Sequence, residues 1–232
     1  KFQAKAGIVS SPAVTGGVVY FGASDGVLYA VDAGAGTGKW SFDGGHDLSS
    51  SPAVVGGTVY VGSADGFLYA VDTQTGRQKW RYQTGGDVWS TPAVVDGTVY
   101  VGSYDTRLHA VDAGSGQARW AFRTEAGVVS SPAVSEGTVF VGSLDGRVYA
   151  VDAQTGAERW RFETGGKVWC SPVVSGALVF VGSADGYLYA LETQTGREVW
   201  KFKTEGEIWS PLAVAGGMVF VGSQDGYLYA LK

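Results

Sequence analysis

A repeat of 40 residues runs through the chain without drift and decides what it can become. Trp40, Trp80, Trp120, Trp160 and Trp200 mark it. So do Asp25, Asp65, Asp105, Asp145, Asp185 and Asp225, and Ala30 with its equivalents up to Ala230. The 232 residues hold six such units less eight residues. A module this small cannot bury both of its own faces, so successive units must pack on one another.

Each unit reads as four short strands. In residues 50–83, Ser51-Pro52-Ala53-Val54 is a short apolar segment that ends at the turn Gly56-Gly57. Thr58-Val59-Tyr60-Val61-Gly62 follows, then the turn at Asp65-Gly66, the run Phe67 to Val71, and a turn at Thr75-Gly76. Lys79-Trp80-Arg81-Tyr82 closes the unit with a period of two. β-Branched and aromatic runs separated by glycine turns predict antiparallel strands, and no segment has a helical period. The middle strands are almost continuously apolar, as strands covered on both faces should be. In the fourth strand, Trp80 and Tyr82 should face inward. Lys79 and Arg81 should face solvent and discourage edge pairing. Four antiparallel strands per 40 residues describe the blade of a β-propeller.

Composition agrees. Glycine makes up 37 of 232 residues and aromatics 13%, a mixture suited to packed β structure with many tight turns and not to disorder. No apolar run approaches 18 residues, so no helical membrane span is expected. The net charge is −5 with no basic cluster, which argues against nucleic acid as a partner. Cys170 is the only cysteine, so no intrachain disulfide can form. The chain opens at Lys1 without a signal-like segment, as a trimmed domain or mature product would.

The unit Val-Tyr-Val-Gly-Ser-x-Asp-Gly-x-Leu-Tyr-Ala-Val-Asp, followed by Thr-Gly and tryptophan, resembles the PQQ-like repeat of quinoprotein alcohol dehydrogenase-like propellers. Residues 59–80 show it in full. The resemblance implies that each tryptophan docks between the alanine of the third strand and a glycine turn, a role that falls to Trp80, Ala70 and Gly76. It also implies kinship with an outer-membrane assembly lipoprotein and with bacterial kinase sensor propellers. An extracytoplasmic or periplasmic location follows by resemblance, if the chain is natural. Enzymes of the family hold pyrroloquinoline quinone on calcium in an eight-bladed ring beneath a disulfide of adjacent cysteines. This chain has six units, no Cys-Cys pair and no asparagine, so no cofactor is expected.

The expected fold is therefore all-β: a six-bladed β-propeller of 40-residue four-stranded blades, with its ring closed by the N-terminal strand. The expected blades cover about 10–43, 50–83, 90–123, 130–163, 170–203 and 210–232 plus 1–4, in one domain over 1–232. Closure is read from Lys1-Phe2-Gln3-Ala4, which aligns with Lys201-Phe202-Lys203-Thr204 and would supply the outer strand missing after Leu231. That strand lacks its tryptophan, so the seam should be the weakest point of the ring. A ring closed within one chain is a monomer, and an open ring completed by a neighbouring chain is the alternative.

No catalytic or metal site is expected. His46 and His109 fit no zinc pattern. His109 takes a slot where other units have tyrosine, which suggests packing, and Cys170 takes a serine slot, which suggests a small buried residue. The six aspartates suit the turn pair Asp-Gly, in which the carboxylate accepts nearby N–H groups, better than a metal ring. Thr106 replaces glycine after Asp105 and should strain that turn.

A recognition surface is the better functional expectation. The loops entering the first strand of each blade and the turns between second and third strands should share one face, and the units differ most there. Candidate positions are Asp47, Asp87, Lys167 and Glu207, with Trp89, Trp169 and Trp209 two residues on, and Tyr104, Arg107 and Arg147 on the second set of turns. Aromatics beside charges suit a protein, a peptide or a small ligand. The tryptophans could instead fill space between inner strands. The function expected is a non-enzymatic binding or scaffold domain, of sensor or assembly type. The alternatives are a designed or reconstructed propeller with no evolved ligand and, behind it, a fragment of a quinone-dependent dehydrogenase.

Overall fold

The computed structural model describes residues 1–232, and all of its regular structure is β. The strands form six antiparallel sheets, five of four strands and one of three, each paired in chain order. Blade 2 illustrates the design with strands Ala53–Val55, Thr58–Gly62, Phe67–Asp72 and Gln78–Gln83. Tyr60 faces Ala70, and Ala70 faces Trp80, across the two ladders. Val59, Val61 and Val71 on one face of the blade and Leu68 on the other are all fully buried. Both faces of the blade are therefore covered, which explains the unbroken apolar runs. The fourth strand alternates as expected, with Trp80 buried and Lys79 and Arg81 exposed.

Turn geometry recurs from unit to unit with some changes of residue, as where Asp96 and Glu136 take the positive φ that Gly56 takes in blade 2. Gly56 and Gly57 both take positive φ, at 56° and 74°, to join the first two strands. At Asp65-Gly66 the carboxylate accepts the N–H of Phe67 at 2.9 Å and the hydroxyl of Tyr69 at 2.6 Å. The aspartates are thus structural acceptors, as the turn reading expects. Thr106 sits at φ 72°, where its counterparts Gly66 and Gly146 sit at 83° and 87°. A β-branched residue is strained there by about 1–2 kcal/mol. Thr106→Gly should raise the melting temperature, which a thermal scan reads directly.

Between third and fourth strands, Asp72 accepts the N–H groups of Gln74 and Thr75 and the Thr75 hydroxyl. The backbone N–H and then the hydroxyl of Thr75 hold its carboxyl down at about 2, below the ordinary 3.8. A lowered folded pKa means that the contribution is present above the unfolded pKa and lost as pH falls through the folded one. Asp72→Asn should therefore lower the melting temperature at pH 7. The deficit should shrink as acid is added between about pH 4 and pH 2.

The chain divides into two compact units: residues 1–105 with 109–119, and residues 106–108 with 120–232. In the first, blade 1 packs on blade 2 through Leu28, Leu48, Val59 and Val71. Leu68, Trp80, Val88 and Val99 repeat that contact one blade further on. In the second unit, Val148, Trp160, Val168 and Val181 make one such layer, and Leu188, Ile208 and Val221 make another. Backbone and side chains of the inner strands link blades at a separation of 40 residues. The Ser50 hydroxyl donates to the Ser90 carbonyl, and the Cys170 thiol lies 3.0 Å from the Ser210 carbonyl.

Two expectations need correction. Trp80 does face Ala70 across its own sheet, but it docks on the next blade's glycine and not on Gly76. A Cβ at Gly116 would lie 2.7 Å from the Trp80 ring, and the indole N–H donates to the Ala113 carbonyl at 3.0 Å. Gly76 receives Trp40 instead. The fourth strand is the outermost, so its large ring reaches sideways and bolts neighbouring blades together. Closure by the N-terminal strand is also not formed. The last blade contains Ala213–Ala215, Met218–Gly222 and Leu228–Leu231 alone, and residues 1–4 adopt no strand. Phe2 packs its ring on Phe21 and Tyr29 of blade 1, at 6.0 and 5.4 Å between centroids. That aromatic contact anchors the segment to the first blade without any strand pairing.

Candidate functional site

One hydrogen bond recurs in all six blades and builds the candidate face. The backbone N–H in the turn between second and third strands donates to a carbonyl in the loop entering the first strand. The pairs are Ser24 to Gly7, Ala64 to Asp47, Tyr104 to Asp87, Leu144 to Gly127, Ala184 to Lys167 and Gln224 to Glu207, at 2.9–3.0 Å. The two variable sets of positions are therefore neighbours within every blade, as expected. A glycine at the end of the second strand admits the entering loop of the following blade. At Gly62, an added Cβ would lie 2.4 Å from the Val88 carbonyl oxygen and 2.4 Å from the Val88 side chain.

Blade 3 brings three candidate residues together. The Trp89 ring meets Tyr104 edge to face, with centroids 4.9 Å apart and planes at 75°. Trp89 remains 47% exposed despite that contact. Burial, then the charge of Asp87, raises the Tyr104 phenol above its ordinary value, so it stays a neutral donor at physiological pH. In blade 6 the Trp209 indole donates to the Glu207 carboxylate at 2.6 Å, and Trp209 is 49% exposed. These two tryptophans are held by partners and still present a face to solvent. Trp169 differs, being half-buried beside the exposed Lys167. In blade 2, where no tryptophan stands, Asp47 is occupied by the Ser49 hydroxyl at 2.6 Å.

The arginines divide. Arg107 is exposed. Arg147 is less exposed and lies 2.8 Å from the Glu125 carboxylate. The pairing unites residues from different turns, and spacing along the chain gives no signal for it. A cleft of about 440 Å³ between blades 1 and 2, lined by Tyr20, Lys39, Trp40 and Thr73, also had no sequence signal. It opens beside the Gly56-Gly57 turn, at the other end of the second strand from Asp65-Gly66.

Groups that could suggest catalysis are accounted for by packing. His109 is 3% exposed, with Nε2 3.0 Å from the Asp105 carboxylate and Nδ1 3.1 Å from the Tyr82 hydroxyl. It fills the tyrosine slot and meets Asp105, the counterpart of the Asp65 that Tyr69 donates to in blade 2. Cys170 is fully buried, and burial pushes its thiol up to about 12, so it carries no thiolate at neutral pH. A thiol reagent such as DTNB should leave the native chain unmodified and label one thiol per chain in denaturant. His46 is exposed, and no group of three or more His, Cys, Asp or Glu is placed to hold a metal ion.

Four-stranded antiparallel blades in series, each carrying a variable loop pair, define a β-propeller repeat protein. The chain belongs to the family described as the beta-propeller of beta-alanine-activating enzyme, which matches residues 50–232. Its structure is similar to that of the computationally designed protein Ika8, with a TM-score of 0.87 and 20% identity. That alignment covers 99% of this chain and 72% of the designed one. It is also similar to BamB from Moraxella catarrhalis, with a TM-score of 0.72, 24% identity, and coverage of 99% and 84% of the two chains. These agree with the PQQ-like repeat propeller that residues 59–80 resemble. No curated protein matches the sequence.

Proposed function

We propose that this propeller is a non-catalytic binding module that captures a protein or peptide segment on the loop face of its blades. One observation carries the reading: Trp89 is pinned against Tyr104 yet leaves about half of its surface in water. Tryptophan and tyrosine are enriched among the residues that carry binding energy, and an aromatic already held in place loses little side-chain freedom on binding. Trp209 with Glu207 supplies a second anchor of the same kind.

Panning a random peptide display library on the native chain tests this. Enriched peptides should lose about tenfold or more in affinity on Trp89→Ala, which is exposed enough to leave the fold intact. Failure to enrich any peptide, or equal binding by the variant, would overturn the reading. The second reading, a repeat scaffold without an evolved ligand, rests on how closely the six units match one another, and it predicts no enrichment.

A further inference from the structure

The cleft between blades 1 and 2 departs from the junction that follows it, and each departure leaves a polar group available or makes room. Tyr20 lines the cleft and is only 2% exposed, yet its hydroxyl makes no hydrogen bond within the protein. One blade on, the Ala113 carbonyl accepts both the Tyr60 hydroxyl at 3.1 Å and the Trp80 indole at 3.0 Å. In the cleft the equivalent Thr73 carbonyl accepts the Trp40 indole at 2.9 Å but not Tyr20. A buried hydroxyl without a partner is costly, so an occupant able to bond it gains.

The second departure is Lys39. Its counterpart Lys79 donates to the Gly57 carbonyl at 3.0 Å and to the Thr58 hydroxyl at 2.8 Å. Val18 stands in the slot of Thr58, and Lys39 keeps only Asp32, at 3.4 Å. The third departure is space. Blades 3 and 4 carry Asp96 and Glu136 where blade 2 has Gly56. A Cβ at Gly56 would meet nothing within 4 Å, and the cleft stays open at about 440 Å³, a volume typical of small-ligand sites.

Charge decides the class of occupant. Lys39 is paired with Asp32, and Asp72, whose charge reaches Tyr20, is paired with Lys79 at 3.4 Å. Positive and negative groups cancel, so an ion entering the cleft would leave water without a counter-charge. Hydrogen-bonding capacity is not lacking. Tyr20 and Lys39 donate, and the Gln74 amide both donates and accepts. Trp40 and Val54 add an apolar wall.

We propose that this cleft binds a sugar, as a neutral mono- or disaccharide. Its hydroxyl oxygens accept from Tyr20 and Lys39, Gln74 exchanges bonds with a neighbouring hydroxyl, and a C–H face of the ring lies on Trp40 and Val54. The site is separate from the loop face that carries Trp89 and Trp209, and it needs no peptide to be bound there.

Titrating the full chain with neutral mono- and disaccharides, followed by NMR, tests the proposal when the matching uronic acids and amino sugars are run alongside. At least one neutral sugar should bind, and bind more tightly than its charged counterparts. Tyr20→Phe should weaken it about five- to tenfold without lowering the melting temperature. Phe140 and Phe180 occupy the same slot in other blades, so the packing tolerates the change. Gly56→Glu should abolish binding by filling the cleft with a charge. Glu136 already takes that turn position at φ 47°, close to the 56° of Gly56, so the fold admits it. Absence of binding by every neutral sugar overturns the proposal, and solvent then serves the Tyr20 hydroxyl. Binding unchanged in both variants also overturns it, because the sugar would sit elsewhere. Binding of uronic acids or amino sugars alone overturns the uncharged class.

Discussion

Trp160→Ala should be among the most damaging single substitutions in the chain, lowering stability by about 3–5 kcal/mol. The ring is 8% exposed, and its N–H donates to the Thr193 carbonyl at 2.8 Å. A Cβ at Gly196 would lie 2.6 Å from it, so glycine and ring are in direct contact across the junction between blades 4 and 5. Phe140 tilts against its other side, with centroids 5.7 Å apart. Truncation leaves a cavity and removes the donor to the Thr193 carbonyl at once. Urea unfolding followed by circular dichroism measures the loss. A shift worth less than about 1 kcal/mol would show that the docked indole is not what joins the blades.

The second large effect concerns the glycine that ends the second strand. Gly62→Ala should cost about 3 kcal/mol, the upper end for overpacking, because the new methyl would meet the Val88 carbonyl oxygen at 2.4 Å. The Val88 N–H is committed to the Ser63 carbonyl, so that stretch of backbone cannot yield without breaking a bond. Gly182→Ala should cost a similar amount, because the nearest atoms there are Cγ2 and Cβ of the fully buried Ile208, at 2.1 and 2.9 Å, and rotation about χ1 does not move that Cβ. Thermal unfolding of the two variants side by side checks both. A loss below about 1 kcal/mol in either would show that the junction opens to admit a methyl group.

Strands, turns and blade number were legible because each rests on local chemistry repeated six times. Asp65-Gly66 reads as a turn from two residues, and Trp80 reads as inward-facing from alternation with Lys79 and Arg81. The docking partner of Trp80 was not legible. Gly76 and Gly116 occupy the same slot in successive units, and a strict repeat does not distinguish a contact within a blade from one between blades. Closure failed for a related reason. Residues 1–4 resemble 201–204 in sequence, but similarity of sequence does not create the pairing, and Phe2 packs on Phe21 and Tyr29 of blade 1 instead.

The candidate face was legible in outline. The two sets of variable positions do meet, because each blade ties them with a backbone bond that any residue can make. Side-chain pairing was not legible, since it depends on directions. Arg147 turns toward Glu125, Asp47 is taken by Ser49, and Trp169 is more covered than Trp89 and Trp209 although all three share one slot.

The bonds between blades described above span modest lengths of chain: 33 residues from Trp160 to Thr193, and 40 from Ser50 to Ser90. A blade can therefore be locked in place as soon as the next one has left the ribosome. At about 5–20 residues per second that interval is roughly 2–8 seconds per unit. Assembly during synthesis is then a succession of similar short steps, and the apolar surface waiting for a partner at any moment is that of a single blade.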